Sequence, residues 1–170
     1  MNHSLQIIET RIAFSRAIHN YPAMDMQTWI MEDELQQEYR VIAGGKERIR
    51  RFRPDGYFRI RYQGRLYSFF LELDRSTMSH ERFKKKVQTY LEFEQLGFYE
   101  TRFGTKFFRV LVVTLTPARL FNLKKVVESV TDRFFWFTTL DQISEDTVFD
   151  PVWYKAGHKN KYPLFNPFHD

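Results

Sequence analysis

A mixed α/β domain is predicted, with an antiparallel hairpin and parallel strands in one central sheet and helices on its faces. Three observations predict it. Residues 57–62 and 66–74 alternate in side-chain character on either side of Gln63-Gly64, the pattern of a β-hairpin. Residues 79–97 follow with helical periodicity and serve as a crossover. Residues 107–115 (FFRVLVVTL) are then an almost unbroken apolar run, as a strand buried on both faces requires.

Each element has its own local reasons. Residues 4–20 form a helix, with Leu5, Ile8, Ile12 and Ala13 at helical spacing, Ser4 as its cap and Tyr21-Pro22 ending it. Residues 27–41 are ambiguous: their composition is helical, but Trp29, Ile30 and Asp33 fit a helix poorly. Gly44-Gly45 breaks the chain. Three short strands follow, from Glu47 to Phe52, Tyr57 to Tyr62 and Leu66 to Asp74, the first two separated by the turn Pro54-Asp55-Gly56. Phe58, Ile60 and Tyr62 share one face; so do Phe69, Leu71 and Leu73, with Ser68, Phe70, Glu72 and Asp74 on the other. The 79–97 helix is capped by Ser79, stopped by Gly97, and carries Phe83, Val87, Tyr90, Leu91 and Glu94 on one stripe. Thr116-Pro117 starts another helix that runs to about Val130. Arg133 to Phe137 is a last strand. Residues 155–170 are expected to be an irregular tail closing a single domain over 1–170, the chain end being packed by Trp153, Tyr154 and Phe165.

Composition narrows the chemistry. Hydrophobic residues make up 43% and aromatic residues 18%, too much apolar mass for a disordered chain. The absence of cysteine excludes disulfides, zinc–thiolate sites and cysteine nucleophiles. No signal peptide and no membrane-length apolar run is present, so the expected location is the cytoplasm, with no membrane partner. The net charge of +5 is concentrated. Between residues 46 and 65, Lys46, Arg48, Arg50, Arg51, Arg53, Arg59, Arg61 and Arg65 face only Glu47 and Asp55, a local +6 that leaves the rest of the chain near −1. Arginine predominates, and its planar fork suits phosphate, so DNA contact by these residues is expected. A solvated, charged sheet edge is the plainer alternative.

Three carboxylates stand out. Asp55 opens the second strand and Glu72 lies near the end of the third, so the hairpin returns both to one end, with Asp74 on the same face as Glu72. Oxygen donors crowded together suit Mg²⁺ or Mn²⁺ and repel each other without a cation or a proton. Glu72 lies within Phe69-Phe70-Leu71-Glu72-Leu73, where an unpaired charge is costly. Asp55 as a simple turn cap, and Glu72 paired with arginines, remain the structural alternatives. The five histidines show no His–His metal spacing, no nucleophile elbow is present, and Gly44-Gly45-Lys46 is not a phosphate-binding loop.

Pro54-Asp55, Glu72-x-Asp74 and a following helix with Lys86 and Tyr90 resemble the PD-(D/E)XK nuclease superfamily, with its restriction-endonuclease-like core. The phrases PDGYF, FFLELDRST, RFKKKVQTY, FRVLVVT and FFWFTT resemble more narrowly the replication-relaxation family of plasmid and phage proteins, over about His3 to Trp153. The resemblance implies Asp55 and Glu72 as metal ligands and catalytic residues; the convergence of the three carboxylates makes Asp74 a further candidate ligand. Asp74 stands where the motif has lysine, and some superfamily members carry that basic residue on the next helix, where Lys86 lies four residues before Tyr90. It also implies Glu32 as an extra acid on a first helix and Tyr90 as support. Lys84 and Lys85 are expected beside the arginines on DNA, and the plainer alternative for Lys86 is that all three lysines form one solvated patch touching phosphates. A winged-helix region, separate or missing here, or a replication protein would be a partner.

The leading expectation is thus a metal-dependent deoxyribonuclease, an endonuclease or nickase linked to plasmid or phage replication. A catalytically silent module of the same fold that binds DNA or a replication protein is the second, and a subunit docking through its aromatic surface the third.

Overall fold

The computed structural model describes residues 2–165; of the expected tail, residues 166–170, including Pro167 and His169, lie outside them. A seven-stranded mixed sheet forms the centre, in the order β1-β4-β5-β6-β7-β8-β9. Its elements are α1 (His3–His19), β1 (Met24–Met31), α2 (Glu32–Leu35), β2 (Gln37–Ala43), β3 (Lys46–Phe52), β4 (Gly56–Tyr62), β5 (Arg65–Leu73), α3 (His80–Gln95), α4 (Phe98–Phe103), β6 (Arg109–Thr114), α5 (Pro117–Glu128), β7 (Phe135–Thr139), β8 (Trp153–Lys155) and β9 (Lys161–Tyr162). β5, β6 and β7 are parallel and the remaining pairings antiparallel. The predicted mixed α/β architecture is observed. No helix among the described residues is long and apolar enough to cross a membrane.

The hairpin alternation sorts the core into two halves. Phe58, Ile60, Tyr62, Phe69, Leu71 and Leu73 face α1 and the segment carrying Val148, Trp153 and Leu164. Tyr57 and Phe70 face α3, α4 and α5 on the other side. Gln63 and Gly64 turn the chain with φ of 50° and 80°, the positive values that a two-residue hairpin needs. Ser79 caps α3 by accepting from Arg82 N at 3.2 Å, and Thr116 caps α5 by accepting from Arg119 N at 3.2 Å. β6 is covered on both faces.

Several elements differ from the sequence reading. α1 is capped by Asn2, not Ser4. It buries Ile7, Phe14, Ala17 and Ile18 and leaves Leu5, Ile8 and Ile12 at the surface. Phe14 sets this rotation: its ring meets Phe58 at 4.8 Å, and an aromatic buries more apolar area than any residue of the other stripe. The ambiguous stretch 27–41 is helical only at α2; its start belongs to β1, which completes the edge of β4 with Trp29 stacked on Phe58 at 4.6 Å, and its end to β2. β3 does not pair with β4. It folds back on β2 through Gly44-Gly45 as a separate two-stranded ribbon, leaving the β4 edge to β1. On α3, Phe93 is buried in place of Leu91 and Glu94, and Glu94 pairs with Arg133 at 2.9 Å. α4 follows Gly97 directly. The tail expected to be irregular contributes the end of β8 and all of β9 to the sheet edge.

Candidate active site

Where β4 begins, β5 ends and α1 and α3 approach, the chain forms a cleft of about 210 Å³ lined by His3, Asp55, Glu72, Asp74 and Lys86 among others. Backbone pairing builds its floor. Asp55 N donates to Leu71 O at 3.0 Å, and the Asp55 carboxylate accepts from Leu73 N at 2.7 Å. That second bond pins Asp55 Oδ2 at the end of β5, one residue from Glu72. His3, the first residue of α1, places Nε2 at 3.3 Å from the same Oδ2 and 3.2 Å from Leu73 O.

Glu72 is 6% exposed and both its oxygens have partners. Lys86 Nζ lies 2.7 Å from Oε2, and the Tyr90 hydroxyl donates to Oε1. Lys86 also donates to Arg53 O at 3.2 Å, which ties α3 to the segment before Asp55. The spacing of four residues sets Lys86 and Tyr90 on one flank of α3, so a single helix face holds both ends of the carboxylate. Burial pushes the Glu72 carboxyl up to about 7; Lys86 pulls against that shift and the Asp55 charge adds to it. Burial alone would lower Lys86, but Glu72 and Asp55 outweigh it and hold its pKa above the ordinary lysine value. The ammonium is therefore the fixed charge of the pair and the carboxyl the titrating one. The hydrogen bond to Asp55 raises His3, against its partial burial. Burial, reinforced by Glu72, keeps the Tyr90 phenol well above its usual range.

The other expected site residues divide. Glu32 sits at the start of the short α2, not on a first helix, and its carboxylate joins those of the site: one ligand atom each from His3, Glu32 and Asp55 lie within 4.8 Å of one another. Asp74 lines the cleft, but Arg119 takes both its oxygens, Nε donating at 2.8 Å and Nη2 at 2.9 Å. Its side chain, 6% exposed, therefore faces α5 more than its fellow acids.

The basic residues do not form one hairpin. Arg51, Arg53, Lys85 and Lys86, together with Arg82, line a groove between β3 and α3 that opens beside the cleft. Arg51 also pairs with Glu38 at 3.2 Å. Arg50 is held by Glu92 at 3.0 Å, and Arg59 donates to the Tyr57 hydroxyl at 2.8 Å and to Phe103 O. Arg48 is exposed near the ribbon tip and Lys84 on α3. Arg61 and Arg65 flank the β4–β5 turn, at the end of the hairpin away from Asp55.

Sequence reasoning missed His3, Arg82 and Arg119. Arg82 was legible from its helical spacing to Lys85 and Lys86. Nothing in the local sequence marks His3 or Arg119, since each meets its acid only through the fold.

The family model described as replication-relaxation matches residues 1–109, from α1 to the first residue of β6, and so spans His3, Glu32, Asp55, Glu72 and Lys86. No curated protein and no solved structure matches the chain. The matched stretch covers more than half of the sequence, and the chain belongs to the replication-relaxation family.

Proposed function

We propose that the chain is a metal-dependent nuclease of the PD-(D/E)XK kind that acts on DNA in plasmid or phage replication. The reading rests on one juxtaposition: Asp55, Glu72 and Lys86 share a cleft that opens onto the basic groove of Arg53, Arg82 and Lys85. Family membership adds the association with replication.

The donor set fits a divalent ion. A ring nitrogen of His3 and carboxylate oxygens of Glu32 and Asp55 are close enough to share one, and a nitrogen among hard oxygens suits Mn²⁺ better than Mg²⁺. Such an ion lowers the pKa of a bound water and offsets charge on a phosphodiester. The residues themselves do the rest. Asp55 is fixed by Leu73 N and needs no reorganisation to present its free oxygen. Glu72, with its carboxyl near 7, can accept a proton from water at neutral pH. Lys86 can stabilise charge on a non-bridging phosphate oxygen, and the groove cations hold the sugar–phosphate backbone on either side.

A second reading has an observation of its own. Glu72 is satisfied at both oxygens by Lys86 and Tyr90, and Asp74 by Arg119, so the network also suits a silent module that binds DNA without cutting it. Incubating supercoiled plasmid with Mg²⁺ or Mn²⁺ separates the two. Relaxation or linearisation by wild type and not by Asp55→Ala supports the nuclease. Retention of plasmid in a mobility shift, with no cutting by either protein, supports the silent module.

A further inference from the structure

A second cavity, with no part in the acidic site, lies at the other end of the sheet. There the starts of β6 and β7, the N-terminal part of β5 and the end of β8 enclose a cavity of about 580 Å³. That volume falls within the roughly 300–1,000 Å³ common for ligand pockets. Tyr67 stands five residues before Glu72 on β5, so at about 3.3 Å per residue the cavity is roughly 15 Å from the acidic cleft. Its lining combines two chemistries. Aromatic rings come from Tyr67, Phe107, Phe134 and Trp136, and positive charge from Arg109 and Lys155.

Three details mark it as more than a packing gap. Phe107 is 82% exposed in a chain that buries most of its phenylalanines completely or nearly so, and a ring left in water costs solubility without adding to the core. Arg109 and Lys155 both lie over Trp136, at 4.6 and 4.9 Å from the ring centroid, and Arg109 is held in place by donating to Leu164 O at 2.7 Å, so one ring of the cavity wall carries two cations. Among the described residues no carboxylate pairs with Lys155; Asp132 is the one acid lining the cavity and is exposed, and His158 lies at its rim. Finally, Phe134 has φ of +40°, an unfavourable backbone state for a bulky residue, and such residues cluster at binding sites.

We propose that this cavity is a second nucleic-acid site, which takes an unpaired nucleotide of a single strand, its base on Phe107 and its phosphate at Arg109 and Lys155. An exposed ring beside paired cations is the arrangement that recognises a base and its phosphate together, and only an unpaired base offers its face to a ring inside a cavity. The site is separate from the acidic cleft and does not depend on cleavage there.

Titration of the tryptophan fluorescence of the full chain with a short oligothymidylate tests it, with Trp136 in the cavity wall as the reporter. Oligothymidylate should bind, Phe107→Ala and Lys155→Ala should each weaken it about 5- to 100-fold, and Asp55→Ala should leave it unchanged. Phe107 is exposed, so its alanine variant should keep the wild-type melting temperature. Thymidine monophosphate and inorganic phosphate form the control arms. Binding of the mononucleotide as tight as that of the oligomer would assign the site to a free nucleotide and overturn the single-strand proposal. Binding matched by inorganic phosphate, insensitive to Phe107→Ala, or displaced as well by an acidic peptide would also overturn it. Because Asp55→Ala is silent in this assay and Phe107→Ala should be silent in plasmid cleavage, failure of one reading does not imply failure of the other.

Discussion

Arg119 grips both oxygens of Asp74 from the first turn of α5, at 2.8 and 2.9 Å, and its Nη2 also donates to Met78 O at 2.7 Å. This two-point pair closes the end of β5 against α5, and it engages the one acid of the Glu72-x-Asp74 triplet that the motif does not require. Removing Asp74 leaves the half-buried Arg119 with Met78 O as its remaining partner. Asp74→Ala should therefore lower stability by about 1–2 kcal/mol in urea denaturation, while Mn²⁺ affinity measured by calorimetry stays within about twofold of wild type. A large loss of metal affinity at unchanged stability would restore Asp74 as a ligand.

His3 and Glu32 should behave in the opposite way. Each offers a ligand atom within 4.8 Å of the other and of Asp55, and neither belongs to the buried core. His3→Ala and Glu32→Gln should each weaken Mn²⁺ binding by at least roughly tenfold and shift the melting temperature little. Calorimetry of the two variants beside Asp55→Asn measures this directly, and unchanged affinity in all three would remove the metal from the proposal.

Glu72 should leave its signature in the pH dependence of stability. Its carboxyl stands at about 7 in the folded chain against an ordinary 4.5, so between those values the folded state keeps a proton that the unfolded chain gives up. The corresponding stability is complete below the lower value and is lost as pH rises through the upper one. Urea denaturation without divalent ions, from pH 4.5 to 7.5, should show wild type losing stability relative to Glu72→Gln as the pH increases. A difference that is flat or grows with pH would mean that Lys86 keeps Glu72 ionised throughout.

The scattered arginines predict a selective salt response. Arg53→Ala, Arg82→Ala and Lys85→Ala should each reduce the slope of log K against log salt for duplex DNA by about 1, because each removes one phosphate contact in the groove. Arg61→Ala, at the far end of the hairpin, should leave the slope unchanged. Arg50→Ala should lower stability through loss of Glu92 instead. Equal effects at all five positions would mean that DNA reads the overall charge and no groove.

How much was legible follows from where each cause lies. The two-residue alternation of Tyr57–Tyr62 and Leu66–Asp74, the caps at Ser79 and Thr116, and the apolar run into β6 depend on near neighbours, and the sequence by itself determined them. The same local pattern brought Asp55 to the Glu72 end of the hairpin and set Lys86 one turn from Tyr90. Only the tertiary structure resolved the ambiguous 27–41 stretch, since the edge of β4 draws its start into β1 against its helical composition. It alone turned Phe14 inward in place of Ile12, added His3 to the site beside the expected Glu32, and handed Asp74 to Arg119 across 45 residues. Periodicity and capping act within a turn or a strand, whereas sheet edges, buried rings and ion pairs are chosen among partners that the chain must first bring together.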